Sequence, residues 1–156
     1  MIDTTVSPGE SLDGRIRQFI FERTAATGAV PQLAEIAGEL AVPTADAAAA
    51  VQRLALARVL ILAPNGGDIW AANPFCAVPS GFRVEAKGKR YWGICAWDAL
   101  GIVAALGAQE ATLSAPCGDC GELLQLHVTG GQLAPSESLV HFAVPARDWW
   151  KNIGFA

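Results

Sequence analysis

Apolar residues recur at helical spacing in the first part of the chain and alternate with polar ones further on. Ile16, Phe19, Ile20 and Arg23 share one face of a helix predicted over residues 15–27, which stops at Gly28. Residues 31–40 read as a second short helix, closed by Val42-Pro43. Thr44 suits an N-cap, with Asp46 in the first turn, and opens a third helix through Val51, Leu54 and Ala57. Residues 58–63 then read as a strand, Asn65-Gly66-Gly67 as a turn and residues 68–71 as the returning strand.

The pattern changes at Asn73-Pro74. Phe82, Val84 and Ala86 point to one side and Arg83, Glu85 and Lys87 to the other, which predicts a half-buried strand turned by Lys87-Gly88 and returned by residues 89–94. Residues 95–106 read as a helix ending at Gly107. Residues 110–114, 122–128 and 139–144 read as strands, and residues 146–153 as a terminal helix with Gly154 beyond it. The expected fold is α+β, with domains at residues 1–72 and 73–156. A winged-helix-like unit of three helices and a β-hairpin would pack on a mixed, mostly antiparallel sheet domain with a buried helix. Winged helices often bind DNA, but the third helix here offers Arg53 and Arg58 among alanines and begins with Asp46. Reading base edges and phosphates needs more cations and amides than that.

Composition narrows the classes further. The 156 residues are 52% hydrophobic with a formal net charge of −4, and the mean hydropathy is +0.32. Disorder is excluded by that apolarity, and a phosphate-neutralising role is opposed by the charge. The apolar runs at residues 54–63 and 99–108 fall short of the ~20 residues a membrane span needs. The polar, acidic start of the sequence carries no secretory pattern, so a cytoplasmic protein is expected, with Cys76, Cys95, Cys117 and Cys120 kept as thiols.

Two constellations could carry chemistry. Cys95 and Asp98 are three residues apart, so they fall with Ala99, Ile102 and Leu106 on an otherwise apolar stripe. A carboxyl held beside a thiol in an apolar setting can exchange its proton near neutral pH, as a general acid–base must. The alternative is a carboxyl that bonds the backbone beside a small core cysteine. In Cys117-Gly118-Asp119-Cys120-Gly121, two thiols share a tight turn. That pattern fits half of a zinc site, a redox pair displaced from its usual helix start, or a plain reduced turn. His127 and His141 fall in expected strands and read as half-buried structural residues. Trp92, Trp97, Trp149, Trp150 and Tyr91 read as core or interface mass. Arg83, Lys87, Lys89 and Arg90 read as a solvated hairpin tip.

Several of these segments together resemble the alkylmercury lyase family. They are Asn73-Pro74-Phe75, Pro79, Phe82-Arg83-Val84, and Tyr91-Trp92 leading into Cys95-Ala96-Trp97-Asp98-Ala99-Leu100, then Cys117 and Val140-His141-Phe142-Ala143-Val144-Pro145. The resemblance covers most of residues 73–156, and a winged-helix-like first half also suits the family. It implies protonolysis of a carbon–mercury bond to a hydrocarbon and Hg(II), in organomercury detoxification. Cys95 would capture the substrate mercury and Asp98 would handle the proton, with no organic cofactor. The implied partners are the organomercurial, small cellular thiols and mercuric reductase, without nucleic acid or membrane. The resemblance also implies a second catalytic cysteine beyond the counterpart of the segment 149–155. No cysteine follows Cys120 here, so the chain is expected to be truncated at its C-terminus, with Cys117 and Cys120 the nearest substitutes. The remaining readings are a mercury- or zinc-binding module using Cys117 and Cys120, and a metal-sensing winged-helix regulator.

Overall fold

The computed structural model describes residues 11–153. The chain is α+β and divides into two compact units between Val78 and Pro79.

The first unit begins with α1 (Leu12–Thr27), α2 (Leu33–Glu39) and α3 (Thr44–Leu56). Ser11 caps α1, its hydroxyl accepting from Gly14 N–H at 3.2 Å, and Gly28 ends the helix with φ 82°. Pro43, not Thr44, is the N-cap of α3. Two alanines of α3 face inward: Ala47 and Ala50 are fully buried with Ile16, Ile20 and Ile36, beside Val51 and Leu54. A run that reads as featureless is thus a close-packing surface for the other two helices. Arg53 forks onto Asp13 of α1 at 2.6 and 2.9 Å.

Three short strands follow, β1 (Ile61–Leu62), β2 (Ile69–Ala72) and β3 (Phe75–Cys76), paired antiparallel in that order. The strand expected over residues 58–63 shrinks to two residues, because Arg58 takes φ 62° and the chain is still leaving the helix. Gln32 ties α2 to β2, accepting from Ile69 N–H at 2.9 Å and donating to Ile69 O at 3.2 Å.

The second unit is a five-stranded sheet in the order β5-β4-β6-β7-β8. Its strands are β4 (Phe82–Ala86), β5 (Lys89–Gly93), β6 (Glu110–Pro116), β7 (Leu123–Thr129) and β8 (Gln132–Leu133). Every pairing is antiparallel rather than mixed. Register places Val84 opposite both Tyr91 and Leu113, and Ala86 opposite Ala111, all on one buried face. Across that face lies α4 (Ala96–Leu106), which packs on β4, β5 and β6 and buries Ala99, Ile102, Val103 and Leu106. Gly107 closes the helix in the left-handed region at φ 57°.

The strand expected at residues 139–144 does not form. That run is rich in β-formers, but strands need a ladder partner, and none of these residues pairs with the sheet. Leu139 is instead 92% exposed. Residues 146–153 yield a 3₁₀ helix over Ala146–Lys151, and Gly154 lies outside the described residues. Among the described residues no helix is long and apolar enough to cross a membrane.

Candidate active site

The sheet delivers the chain to the site through Gly93. Phe82 pairs with Gly93, and two residues later Cys95 stands as the N-cap of α4 in extended conformation. Gly93 is required by crowding: a Cβ there would stand 2.9 Å from Ala99 N and 3.1 Å from Asp98 Cβ. The helix start is therefore pressed onto the strand end.

Cys95 precedes the helix rather than lying on its apolar stripe, so the two residues meet for a different reason. Cys95-Ala96-Trp97-Asp98 occupies the N-cap to N3 positions, the places a capping box would use, although the Cys95 side chain makes no capping hydrogen bond to the helix backbone. The backbone N–H groups of Ile94 and Cys95 act on the Asp98 carboxyl and hold its pKa down, as expected for an acid at N3. Its Oδ2 lies 3.5 Å from Cys95 Sγ, with the thiol as donor. Both side chains are half-buried. The carboxyl that reads from sequence as either a backbone partner or a thiol partner is both.

Electrostatics follow from that position. Burial pushes the Asp98 carboxyl above the ordinary aspartate range, opposed by the Cys95 hydrogen bond and the two backbone N–H groups. Burial is also the largest cause raising the Cys95 thiol, and the Asp98 charge and hydrogen bond add to it, while the Asp98 and Trp97 N–H groups pull it down. The thiol points at the carboxyl, and transfer of its proton would leave a thiolate at a helix N-terminus, where negative charge is favoured.

Trp97, which lies between the two in sequence, lines an apolar cavity of about 650 Å³ with Phe142, Val144, Pro145 and Trp149, and with Ala143 and Ala146. Trp97 is 62% exposed and forms a wall rather than core. Phe142 and Trp149 pack at a 44° tilt with centroids 5.0 Å apart, and Trp149 Nε1–H donates to Val144 O at 2.8 Å. Reading the tryptophans as core or interface mass does not single out this wall; the signal lay in Trp97 falling between Cys95 and Asp98. A slightly larger cleft of about 710 Å³ lies at the far end of the sheet, around the hairpin tip and His127, away from the thiol–carboxyl pair.

The other candidates lie apart from the pair. Cys76 is buried in β3, its thiol donating to Trp70 O at 3.6 Å. His127 is exposed on β7, 3.4 Å from Thr112 Oγ1, and His141 is exposed on an irregular segment, so neither is the half-buried strand residue expected. Cys117 and Cys120 share the turn between β6 and β7. The N–H groups of Cys120 and Asp119, then the Cys120 thiol, lower the Cys117 pKa. Among the described residues no group of three or more His, Cys, Asp or Glu could hold a metal ion.

No curated protein sequence matches the chain. The mercury-bound crystal structure of MerB2 superposes with a TM-score of 0.65 at 20% identity, over 82% of this chain. The chain spans 61% of the length of that protein, and the likeness establishes the fold. The alkylmercury lyase family model matches residues 75–155, just over half of the sequence and the whole of the thiol–carboxyl site, and on that match the chain belongs to the alkylmercury lyase family.

Proposed function

We propose that the protein is an alkylmercury lyase that cleaves organomercurials by protonolysis, with Cys95 capturing mercury and Asp98 moving the proton. The observation that carries this reading is the 3.5 Å thiol–carboxylate contact at the start of α4, inside the family-matched region. Asp98 takes the Cys95 proton as the thiolate bonds to mercury and displaces its inorganic ligand. Mercury is soft and prefers such sulfur. Electron density donated through mercury makes the bound carbon basic. The protonated Asp98 then gives its proton to that carbon, and the pair of electrons in the carbon–mercury bond becomes the new C–H bond. Hydrocarbon leaves, Asp98 is again a carboxylate, and Hg(II) remains on Cys95 with an external ligand.

The upward shift of the Asp98 pKa suits its first task, because burial makes the carboxylate a stronger acceptor for the thiol proton. The aromatic cavity at Trp97 suits the organic group of the substrate, which is apolar. No organic cofactor enters the scheme, since the metal arrives with the substrate. Small thiols are the simplest carriers of Hg(II) away from Cys95, with mercuric reductase a downstream acceptor. Thiol-dependent chemistry of this kind fits a cytoplasmic setting. Residues 1–72 we read as a winged-helix-like domain without DNA-binding function, and residues 73–156 as the catalytic domain.

Incubation with phenylmercury and excess monothiol, with the headspace analysed for benzene, tests the reading. Wild-type protein should release benzene and Cys95→Ser should not. Release that persists in Cys95→Ser removes Cys95 from the mechanism.

A further inference from the structure

The thiol–carboxyl pair leaves a second pair of sulfurs without a role. We propose that Cys117 and Cys120 form a two-sulfur receptor for a soft thiophilic metal ion, with Hg(II) as the ion it takes here. The identity of that ion rests on the lyase reading; the site itself does not.

The turn is clamped at its base. Cys117 N–H donates to Glu122 O at 2.7 Å and Gly121 N–H donates to Cys117 O at 3.0 Å. Gly121, at φ 74°, allows the chain to reverse into β7. Within that loop the N–H groups of Cys120 and Asp119, and then the Cys120 thiol, act on the Cys117 sulfur and lower its pKa. Cys120 is exposed and Cys117 half-buried, so an incoming ion has access to both. Zinc in a structural site takes four protein ligands, and no cluster of three or more is assembled among the described residues. Two adjacent thiolates fit instead an ion content with linear two-sulfur coordination, which is the habit of Hg(II).

Topology also puts the turn on the route from the proposed chemistry. Cys95 follows the end of β5 and Cys117 follows the end of β6, at the same end of the sheet, with only β4 between those strands. Two strand spacings amount to about 10 Å. Transfer is ordinary thiol exchange. Hg(II) held by two external thiolates bonds to Cys117 and Cys120, two mercury–sulfur bonds form and two break, and the protons leaving the protein thiols go to the departing thiolates.

The test uses full-length Cys95→Ser, which separates the turn from the lyase chemistry. The reduced protein is given one equivalent of Hg(II) in excess 2-mercaptoethanol, desalted, and assayed for bound mercury. We expect about one Hg(II) retained per chain, with retention weakened about 10²- to 10⁴-fold in Cys95→Ser/Cys120→Ser, because a second thiol on the same turn acts at high effective concentration. Cys120 is exposed, so that substitution spares the fold. Equal retention without Cys120, or none in Cys95→Ser, overturns the proposal. Wild-type protein that retains Hg(II) yet releases no hydrocarbon overturns the lyase reading alone.

Discussion

At the scale of single residues, the site depends on a helix cap built from reactive groups. An Asp98→Asn variant keeps an acceptor for the Ile94 and Cys95 N–H groups but cannot carry a proton. Cleavage should fall about 10²- to 10⁴-fold, the usual worth of a positioned acid–base, as read by hydrocarbon release. Stability should move the other way. Because burial raises the folded-state Asp98 pKa, the native state holds the proton more tightly than the unfolded chain. Native stability therefore declines as pH climbs from the ordinary aspartate range through the raised folded value. Asp98→Asn should have the higher Tm at neutral pH, with the gap closing in acid; a lower Tm at neutral pH would contradict the assigned burial. The Cys95–Asp98 adjacency was legible in the i, i+3 spacing, but its cause was not. A cysteine is not a usual N-cap residue, so nothing in its identity marked Cys95 as lying outside the helix.

Among the elements, α4 and the strand end beneath it carry the geometry. Gly93→Ala would drive a Cβ into Ala99 N and the Asp98 side chain. Since Ala99 N–H closes the first turn of the helix onto Cys95 O at 3.0 Å, the variant should shift the whole cap. We expect a loss of about 1–3 kcal/mol in urea unfolding together with a fall in cleavage. Ile102→Ala, at a fully buried position on the same helix, should cost about 2–5 kcal/mol through the cavity left behind while sparing the Cys95–Asp98 contact. Loss of activity in Gly93→Ala no greater than in Ile102→Ala would sever the link between crowding and cap. Helices and the central strands were legible because their periodicity reports a buried face. The segment at residues 139–144 was not, since its apolar residues serve an aromatic wall, Phe142 on Trp149, rather than a ladder. The isolated Trp97 likewise read as core although it faces the cavity.

For the molecule as a whole, the net charge of −4 and the two compact units bear on what the first unit does. Its third helix buries Ala47 and Ala50 and commits Arg53 to Asp13, so few cations remain on it to meet phosphate. No binding to duplex DNA is expected at physiological salt; a gel-shift complex that weakens steeply as salt rises would contradict this. The sequence pattern changes near Asn73-Pro74, whereas the compact units divide between Val78 and Pro79, after β3 has joined the first sheet.

Capture and protonolysis can be separated in one measurement. Wild type and Asp98→Asn, each with one equivalent of phenylmercury in D₂O, are followed by mass spectrometry of the intact protein and by headspace analysis. The account predicts monodeuterated benzene from the wild type, and from Asp98→Asn a lasting phenylmercury adduct on Cys95 with little benzene. Benzene formed by Asp98→Asn at the wild-type rate, or an adduct that bypasses Cys95, would contradict it.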